Sequence, residues 1–112
     1  MSIPVAVDDL AAAAADYGFA YVVTVGEDRR PHVVAATPNW RADGASIAVG
    51  RSTLRNVAAG SVVTLCFPPP DPGGYSLIAD GTAEAATGDE SAISFVPTNA
   101  VLHRPVTPPA GR

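Results

Sequence analysis

The spacing of apolar residues changes near residue 19, and this change divides the chain into a helical start and a β-rich remainder. Residues Val7 to Tyr17 predict a short helix, because two aspartates stand in its first turn and five consecutive alanines have the highest helix propensity. Gly18 follows at a position where glycine commonly ends a helix. Because few polar residues cover this segment, the helix is expected to pack against the rest of the protein.

From Phe19 onward, apolar and polar residues alternate with a period of two, which is typical of half-buried strands. Three strands are predicted, over Phe19–Val25, His32–Thr37 and Ala45–Val49. Turn-forming residues separate them in the segments Gly26–Pro31 and Arg41–Gly44. Strands joined by such short turns are expected to form an antiparallel meander.

A second helix is predicted to begin at Ser52 or Thr53, either of which can cap it, and to end near Ala59. The segment Ser61–Phe67 is almost continuously apolar, which indicates a strand that is covered on both faces. A chain of 112 residues builds only a small core. Barrel closure or a partner subunit is therefore expected to supply the second cover.

The rest of the chain predicts a proline-rich loop, further strands and a proline-rich end. The predicted elements are a stiff loop over Pro68–Gly74, a long strand over Tyr75–Ala86, and a last strand over Ser91–Val96 with a continuation past Pro97 to Leu102 left open. Gly81 marks a bulge or a close approach inside the long strand. Residues 103–112 are expected to be a loosely ordered tail.

This order of elements predicts a mainly β fold, a six-stranded antiparallel barrel with two short flanking helices. The length fits one domain over residues 1–112. No apolar run reaches the roughly 18 residues that span a bilayer, and the first residues lack the basic region of a signal peptide. A soluble, cytoplasmic protein without a membrane partner is expected.

The composition excludes several chemistries. The chain has no lysine, which removes Schiff-base catalysis and lysine-dependent phosphate loops. A single cysteine excludes an intrachain disulfide and a multi-cysteine zinc site, and two distant histidines exclude an HExxH helix, so no metal site is expected. The net charge of −4 argues against nucleic acid as a partner. Abundant alanine, with arginine as the basic residue, suggests a bacterial source.

The segment Gly50–Asn56 carries the strongest chemical signal. It places Arg51, Ser52, Thr53 and Arg55 at the start of the second helix. The unpaired N–H groups of a helix start attract anions, and arginine offers a two-pronged donor to phosphate. An anion site is one interpretation of this pattern; a hydroxyl cap flanked by two solvated arginines is the other.

Four segments together resemble the pyridoxamine 5′-phosphate oxidase-like FMN-binding split-barrel family, in its flavin and deazaflavin reductase branch. They are FAYVVTVGEDRRPHVVAATPNW, DGASIAVGRSTLRNV, GSVVTLCF and DGTAEA, and the resemblance covers roughly residues 7–87. It rests on the order and spacing of these segments. It implies a split barrel and a homodimer with two cofactor sites at the interface, each completed by the partner chain.

The resemblance also implies which residues bind the cofactor, FMN or the related deazaflavin. The phosphate would be held by Arg51, Ser52, Thr53 and Arg55, and the ring would lie along Val34, Ala35, Ala36, Val49 and Gly50. The chain departs from the family pattern in three places. No lysine stands at the Thr53 position, and the linker between the last two strands is very short. The tail is rich in proline, whereas true pyridoxamine phosphate oxidases have an Arg/Trp ending. The last departure argues against activity on that vitamer.

The implied function is an oxidoreductase that transfers a hydride to or from a small organic substrate, with its catalytic residues unknown. The alternative is a dimer that binds flavin, haem or a tetrapyrrole without turnover, or a degenerate member that binds nothing. Trp40 is interpreted either as a stacking partner for a planar cofactor or as a cover for core or interface. His32 and His103 are interpreted as surface residues in preference to catalytic residues. Cys66 is interpreted as an inert buried thiol.

Overall fold

The computed structural model describes residues 1–106 and consists of one sheet with short helices at its ends. A 3-10 turn over Val7–Asp9 leads into the first helix. The strands are β1 (Ser2–Val5), β2 (Ala20–Val25), β3 (Pro31–Ala36), β4 (Asn39–Arg41), β5 (Gly44–Ala48), β6 (Val62–Phe67), β7 (Ser76–Ala85) and β8 (Ala92–His103), and the helices are α1 (Leu10–Ala14) and α2 (Arg51–Ala59).

The sheet is antiparallel and curls into an open half-barrel. Its strand order is β3-β2-β6-β7-β8-β5-β4, and β1 pairs with the second half of β8, on the edge whose first half pairs with β5. In a flat sheet the outer strands of this path would stand about 29 Å apart. Ala36 of β3 and Asn39 of β4 are joined by only Thr37 and Pro38, a connection that reaches at most about 11 Å. The sheet must therefore bend until its two edges approach each other.

The core fills the concave face of this sheet. Alternate residues along each strand are buried there, as β2 shows with Ala20, Val22 and Thr24. The largest buried apolar side chains are Phe67, Phe95, Leu10, Ile47, Leu65, Leu77 and Ile93. Burial of this apolar area is the main stabilising contribution to the fold.

The predicted irregularity at Gly81 is confirmed as a β-bulge between β7 and β8. Asp80 pairs with Asn99 and Gly81 with Pro97, which leaves Thr98 as one extra residue on β8. The Thr98 hydroxyl donates to the Asp80 carbonyl oxygen at 3.3 Å. A Cβ on Gly81 would stand 2.3 Å from the backbone oxygen of Val96, so only glycine fits this approach.

Both helices differ from their predicted form. The predicted helix Val7–Tyr17 is wrong in its length, because regular α-helix covers only Leu10–Ala14. The alanines of this segment bury little apolar area and helices this short depend on packing for their stability. The predicted hydroxyl cap of α2 is also wrong: Gly50 occupies the cap position in an extended conformation, and no side chain bonds the end of the helix.

The prediction of six strands is wrong, since the sheet has eight. The additional strands β1 and β4 are short and mostly exposed, and β1 contains a proline, so their local pattern carries little strand signal. The predicted three-strand meander is wrong as well. Within the described residues β3 pairs with β2 alone, whereas β5 pairs with β4 and β8. The two-residue connection from β3 to β4 crosses the open seam of the half-barrel.

Three other predictions concern the second half of the chain. Pro68–Gly74 is confirmed as a loop without regular secondary structure, and the last strand does continue through Pro97. Barrel closure does not supply the expected second cover of Ser61–Phe67, because Val62 is 72% exposed; cover by a partner subunit stays a prediction. Most of the predicted tail, residues 107–112, lies outside the described residues. No helix between Met1 and Val106 is long and apolar enough to cross a membrane.

Candidate functional site

Helix α2 lies on the concave face against β2 and β7, and its buried residues fix it there. Thr53 and Val57 point into the protein with 1% and 5% of their surface exposed. One turn along, Asn56 Nδ2 donates to Thr24 Oγ1 on β2 at 3.1 Å. A hydrogen bond between half-buried groups ties the helix to the strand in one register.

Two adjoining cavities lie between α2 and the turn that joins β2 to β3, and we name them together the α2 recess. The larger has a volume of about 270 Å³, and its walls include Gly26, Asp28, Arg30, His32, Ser52 and Asn56. The smaller, of about 240 Å³, shares Gly26, Asp28 and Asn56 with it and adds Glu27 and Arg55. The α2 recess thus combines hydroxyl, amide, guanidinium, imidazole and carboxylate groups.

The β2–β3 turn holds its side of the recess through backbone bonds. Gly26 N–H donates to the Arg30 carbonyl at 3.1 Å, and Arg29 N–H donates to the Gly26 carbonyl at 2.9 Å. Arg29 closes this turn in the left-handed region, with a φ of 65°. Asp28 Oδ1 accepts from the backbone N–H of Arg30 at 3.0 Å. One carboxylate oxygen of the recess is therefore already bonded within the turn.

Gly26 keeps the recess open on this side. A Cβ at this position would stand 3.0 Å from the side-chain oxygens of both Asn56 and Asp28. Because that separation is tighter than ordinary van der Waals contact, a larger residue would push against the two groups that shape the recess.

The predicted phosphate-binding residues do not all meet at this recess. Ser52 lines the larger cavity and Arg55 the smaller one. Arg51 is exposed at the first position of α2 and lines neither cavity. Thr53 is buried, and its Oγ1 has no hydrogen-bond partner within residues 1–106. A buried hydroxyl without a partner is costly to a fold.

The predicted ring-binding residues do not share one surface, and the three on β3 divide between its two faces. Val34 and Ala36 are half-buried on the concave side and, together with Val49, pack against the core. Ala35 is exposed on the convex side, as strand alternation requires. Gly50 is exposed at the cap of α2. The side chain of Ala35 therefore belongs to a different surface from its two neighbours.

Trp40 packs against the core, with its ring stacked on Phe67 at a centroid distance of 6.5 Å and an interplanar angle of 25°. This position agrees with its interpretation as a core cover. His103 lies in the paired strands β1 and β8, where its Nδ1 is 3.1 Å from Ser2 Oγ. The pairing places His103 at the far end of β8 from β5.

Cys66 is half-buried on the convex face of β6, opposite Tyr21 of β2. Burial raises the pKa of its thiol. A raised pKa is consistent with the predicted unreactive thiol, although the Cys66 side chain lies outside the core.

Sequence reasoning missed Arg30 and Asn56 as candidate site residues and interpreted His32 as a surface residue. Two signals could have found them. Asn56 stands four residues after Ser52, on the same face of the predicted helix. His32 lies directly opposite the inward-facing Thr24 in the β2–β3 register, so its side chain points toward α2.

Comparisons with known proteins add relatives and a fold. No protein-family profile matches the chain. A solved F420 reductase superposes with a TM-score of 0.59 over 73% of this chain and 87% of its own, at 17% identity, a likeness that shows the fold. Uncharacterized protein Mb0449c from Mycobacterium bovis and uncharacterized protein MT0457 from Mycobacterium tuberculosis are each 43% identical to this chain, over 88% of it and 80% of their own length. The chain belongs to the family of these two mycobacterial proteins.

Proposed function

We propose that this protein is an oxidoreductase that binds a phosphate-bearing deazaflavin, with FMN as the alternative cofactor, and that the α2 recess receives the phosphate. The observation that carries this proposal is the convergence of Arg30, His32 and Ser52 beside the N-terminal half of α2. Arg30 and His32 come from neighbouring positions of the β2–β3 hairpin, and Ser52 comes from α2, twenty residues further along the chain. Their meeting gives one anion several donors at once.

Hydrogen-bond donors, and not net charge, make the recess suitable for an anion. The guanidinium groups of Arg30 and Arg55 stand beside the carboxylates of Asp28 and Glu27, while Ser52 and His32 add a hydroxyl and an imidazole. Hydrogen bonds between ionised groups are roughly twice as strong as neutral ones. The start of α2 adds unpaired backbone N–H groups, because no side chain bonds that end of the helix. The donor set therefore fits a phosphate group.

The planar ring of the cofactor needs an apolar support beside this phosphate site. Val34, Ala36 and Val49 supply half-buried apolar side chains on the concave face. When bound, the cofactor supplies the hydride chemistry, while these residues orient its ring and exclude water from one side. The deazaflavin takes first place because the structurally similar protein is named an F420 reductase.

Cofactor titration tests the proposal. The protein is titrated with F420 and with FMN, and in parallel with riboflavin and the corresponding ribityl deazaflavin, which lack the phosphate. Arg30→Ala is expected to weaken binding of the phosphorylated ligands by about tenfold or more, because a charge-assisted hydrogen bond contributes about 1.5–3 kcal/mol. For the two ligands without phosphate, the affinity of Arg30→Ala is expected to stay within about twofold of that of the original protein.

Arg41→Ala is the matched control, because it removes the same charge from the β4–β5 hairpin, away from the recess. Arg51→Ala tests the sequence-based prediction and is expected to have a smaller effect than Arg30→Ala. Equal losses of affinity for the ligands with and without phosphate would contradict the phosphate site. Oxidation of the reduced cofactor by small-molecule hydride acceptors would support an enzyme. Binding without turnover, or binding of haem in place of both flavins, would support the non-catalytic alternative.

We also propose that the protein is a homodimer that associates through the convex face of β2, β3 and β6. Tyr21, Val25, Val33 and Val62 all point to this face, and between 41% and 72% of each side chain is exposed. On this face Thr64 Oγ1 donates to Asp80 Oδ1 at 2.6 Å. One hydrogen bond offsets only part of the cost of covering the Asp80 carboxylate, so this position on β7 belongs at the solvated rim of the proposed interface. A second copy offers an equally apolar face, and a twofold arrangement is the usual solution.

A further inference from the structure

A separate pocket lies under the proline-rich loop, at the C-terminal end of β6. Its volume is about 220 Å³, and its walls are formed by Asp16, Tyr17, Pro69, Pro70, Asp71 and Tyr75. The pocket shares no residue with the α2 recess. No role in the proposed function accounts for it.

The walls of this pocket are held in place by the fold. Tyr17 Oη donates to the Tyr75 carbonyl oxygen at 2.9 Å, which joins the end of the α1 segment to the start of β7. The Tyr17 ring also meets the buried Phe67 edge-on, with centroids 5.9 Å apart. Within the loop, Gly74 N–H donates to the Asp71 carbonyl at 3.1 Å. These contacts fix the Tyr17 ring and the loop backbone, and groups that are already fixed lose little entropy when a ligand binds. The side chains of Asp16 and Asp71 are exposed.

The chemistry of the walls favours a cation. Asp16 and Asp71 contribute carboxylates from two different segments, and two phenol rings border the pocket, whose electron-rich faces attract cations. Among residues 1–106, no basic side chain lines this pocket. Arg104 is the basic group that touches its rim: its guanidinium carbon lies 4.6 Å from the centroid of the Tyr75 ring. The Tyr75 ring therefore already accepts a cation on one side.

We propose that this pocket binds a small organic cation, an alkylammonium or diammonium compound, between the two carboxylates and the tyrosine rings. The carboxylates accept hydrogen bonds from the ammonium group. The prolines and tyrosines contact its methylene chain, as aromatic and proline side chains do in other ligand pockets. The negative charge of the whole protein adds a favourable long-range field for a cation.

Nuclear magnetic resonance titration with 1,4-diaminobutane tests this inference, with 1,4-butanediol as the neutral ligand of the same length. Saturable shifts are expected at the Gly74 amide and the Tyr17 and Tyr75 rings, with a dissociation constant in the range of about 0.1–10 mM. The diol is expected to cause no saturable shift. Asp71→Asn is expected to weaken diamine binding by about threefold to tenfold.

Three further variants decide whether the effect belongs to this pocket. Tyr75→Leu is expected to weaken binding by about threefold or more through loss of the ring face. Asp43→Asn removes the same charge from the β4–β5 turn and is expected to leave binding within about twofold. Arg104→Gln is expected to strengthen binding, because it removes the competing cation from Tyr75.

The inference would be overturned by equal binding of the diol, by equal effects of Asp43→Asn and Asp71→Asn, or by the absence of saturable shifts up to about 20 mM diamine. Because the pocket and the α2 recess share no residue, these outcomes are independent of the cofactor titrations.

Discussion

At the scale of single residues, Thr53 is the clearest departure from ordinary packing. Its hydroxyl is buried and lacks a hydrogen-bond partner within the described residues. Replacing Thr53 by the equally branched valine is expected to raise the free energy of unfolding by about 1 kcal/mol, since an unpaired polar group leaves the core. Urea unfolding of the cofactor-free protein measures this change.

Ser52→Ala is the matched control for Thr53→Val, because it removes an exposed hydroxyl from the neighbouring position of α2. It is expected to change the free energy of unfolding by less than about 0.5 kcal/mol. A loss of stability in Thr53→Val would contradict the prediction and would mean that the hydroxyl has a partner in solution.

Cys66 gives a second prediction at this scale. Burial raises the pKa of its thiol, and the thiolate is the reactive form. Labelling of the folded protein by a thiol reagent is therefore expected to be slower at pH 8, and to reach its half-maximal rate at a higher pH, than labelling of the urea-unfolded chain. Stopped-flow labelling across pH 7–10 measures both quantities. Equal rates and equal pH midpoints would show that the thiol is freely accessible.

At the scale of secondary-structure elements, the bulge between β7 and β8 predicts a strict requirement for glycine. Gly81→Ala would bring a methyl group within 2.3 Å of the Val96 carbonyl oxygen and 2.7 Å of the Phe95 ring. The two strands must separate to accept it, so the free energy of unfolding is expected to fall by about 2 kcal/mol or more. Thermal and urea unfolding measure this loss.

Gly60→Ala is the matched control for this bulge. A Cβ on Gly60 meets no atom within 4 Å, and its φ of −161° is extended backbone open to any residue. The substitution is expected to change stability by no more than about 0.5 kcal/mol. If both variants lost the same stability, the loss would come from glycine removal in general and not from the contact between strands.

The recess residues show what element-level patterns can and cannot predict. The start of α2 and the polar residues at that point are visible in sequence, and Ser52 and Arg55 do line the recess. Arg30 and His32 join them only because the β2–β3 hairpin folds over α2. Their own local pattern, a turn and an amphipathic strand, is the same as that of many surface hairpins.

At the scale of the whole molecule, the exposed apolar convex face predicts self-association. Light scattering at micromolar concentration is expected to give a mass of twice 11.3 kDa. Val33→Asp is expected to produce a monomer, because a twofold interface would bury the new carboxylate twice. Val106→Asp is the control, since this valine is 77% exposed but lies beyond the sheet. A mass of 11.3 kDa for the original protein would contradict the dimer.

The sequence by itself determined the local properties of this protein. Alternating apolar residues gave strands β2, β3 and β5 to within one or two residues, prolines and glycines placed the loop before β7, and Gly81 marked the bulge. The strands, the loop and the bulge each depend on the backbone geometry that a few neighbouring residues prefer, so the local sequence is enough to predict them.

Only the tertiary structure decided which strands are neighbours and which side chains share a site. Strand β1 exists because β8 offers it an edge about one hundred residues away, and β3 lies at the opposite end of the sheet from β4 although two residues separate them. The burial of Thr53 without a partner and the meeting of Arg30 with Ser52 follow from the packing of α2 beside the β2–β3 hairpin. Pairing and packing between distant segments depend on how the whole sheet buries its apolar face. A local sequence pattern does not specify which distant strands pair.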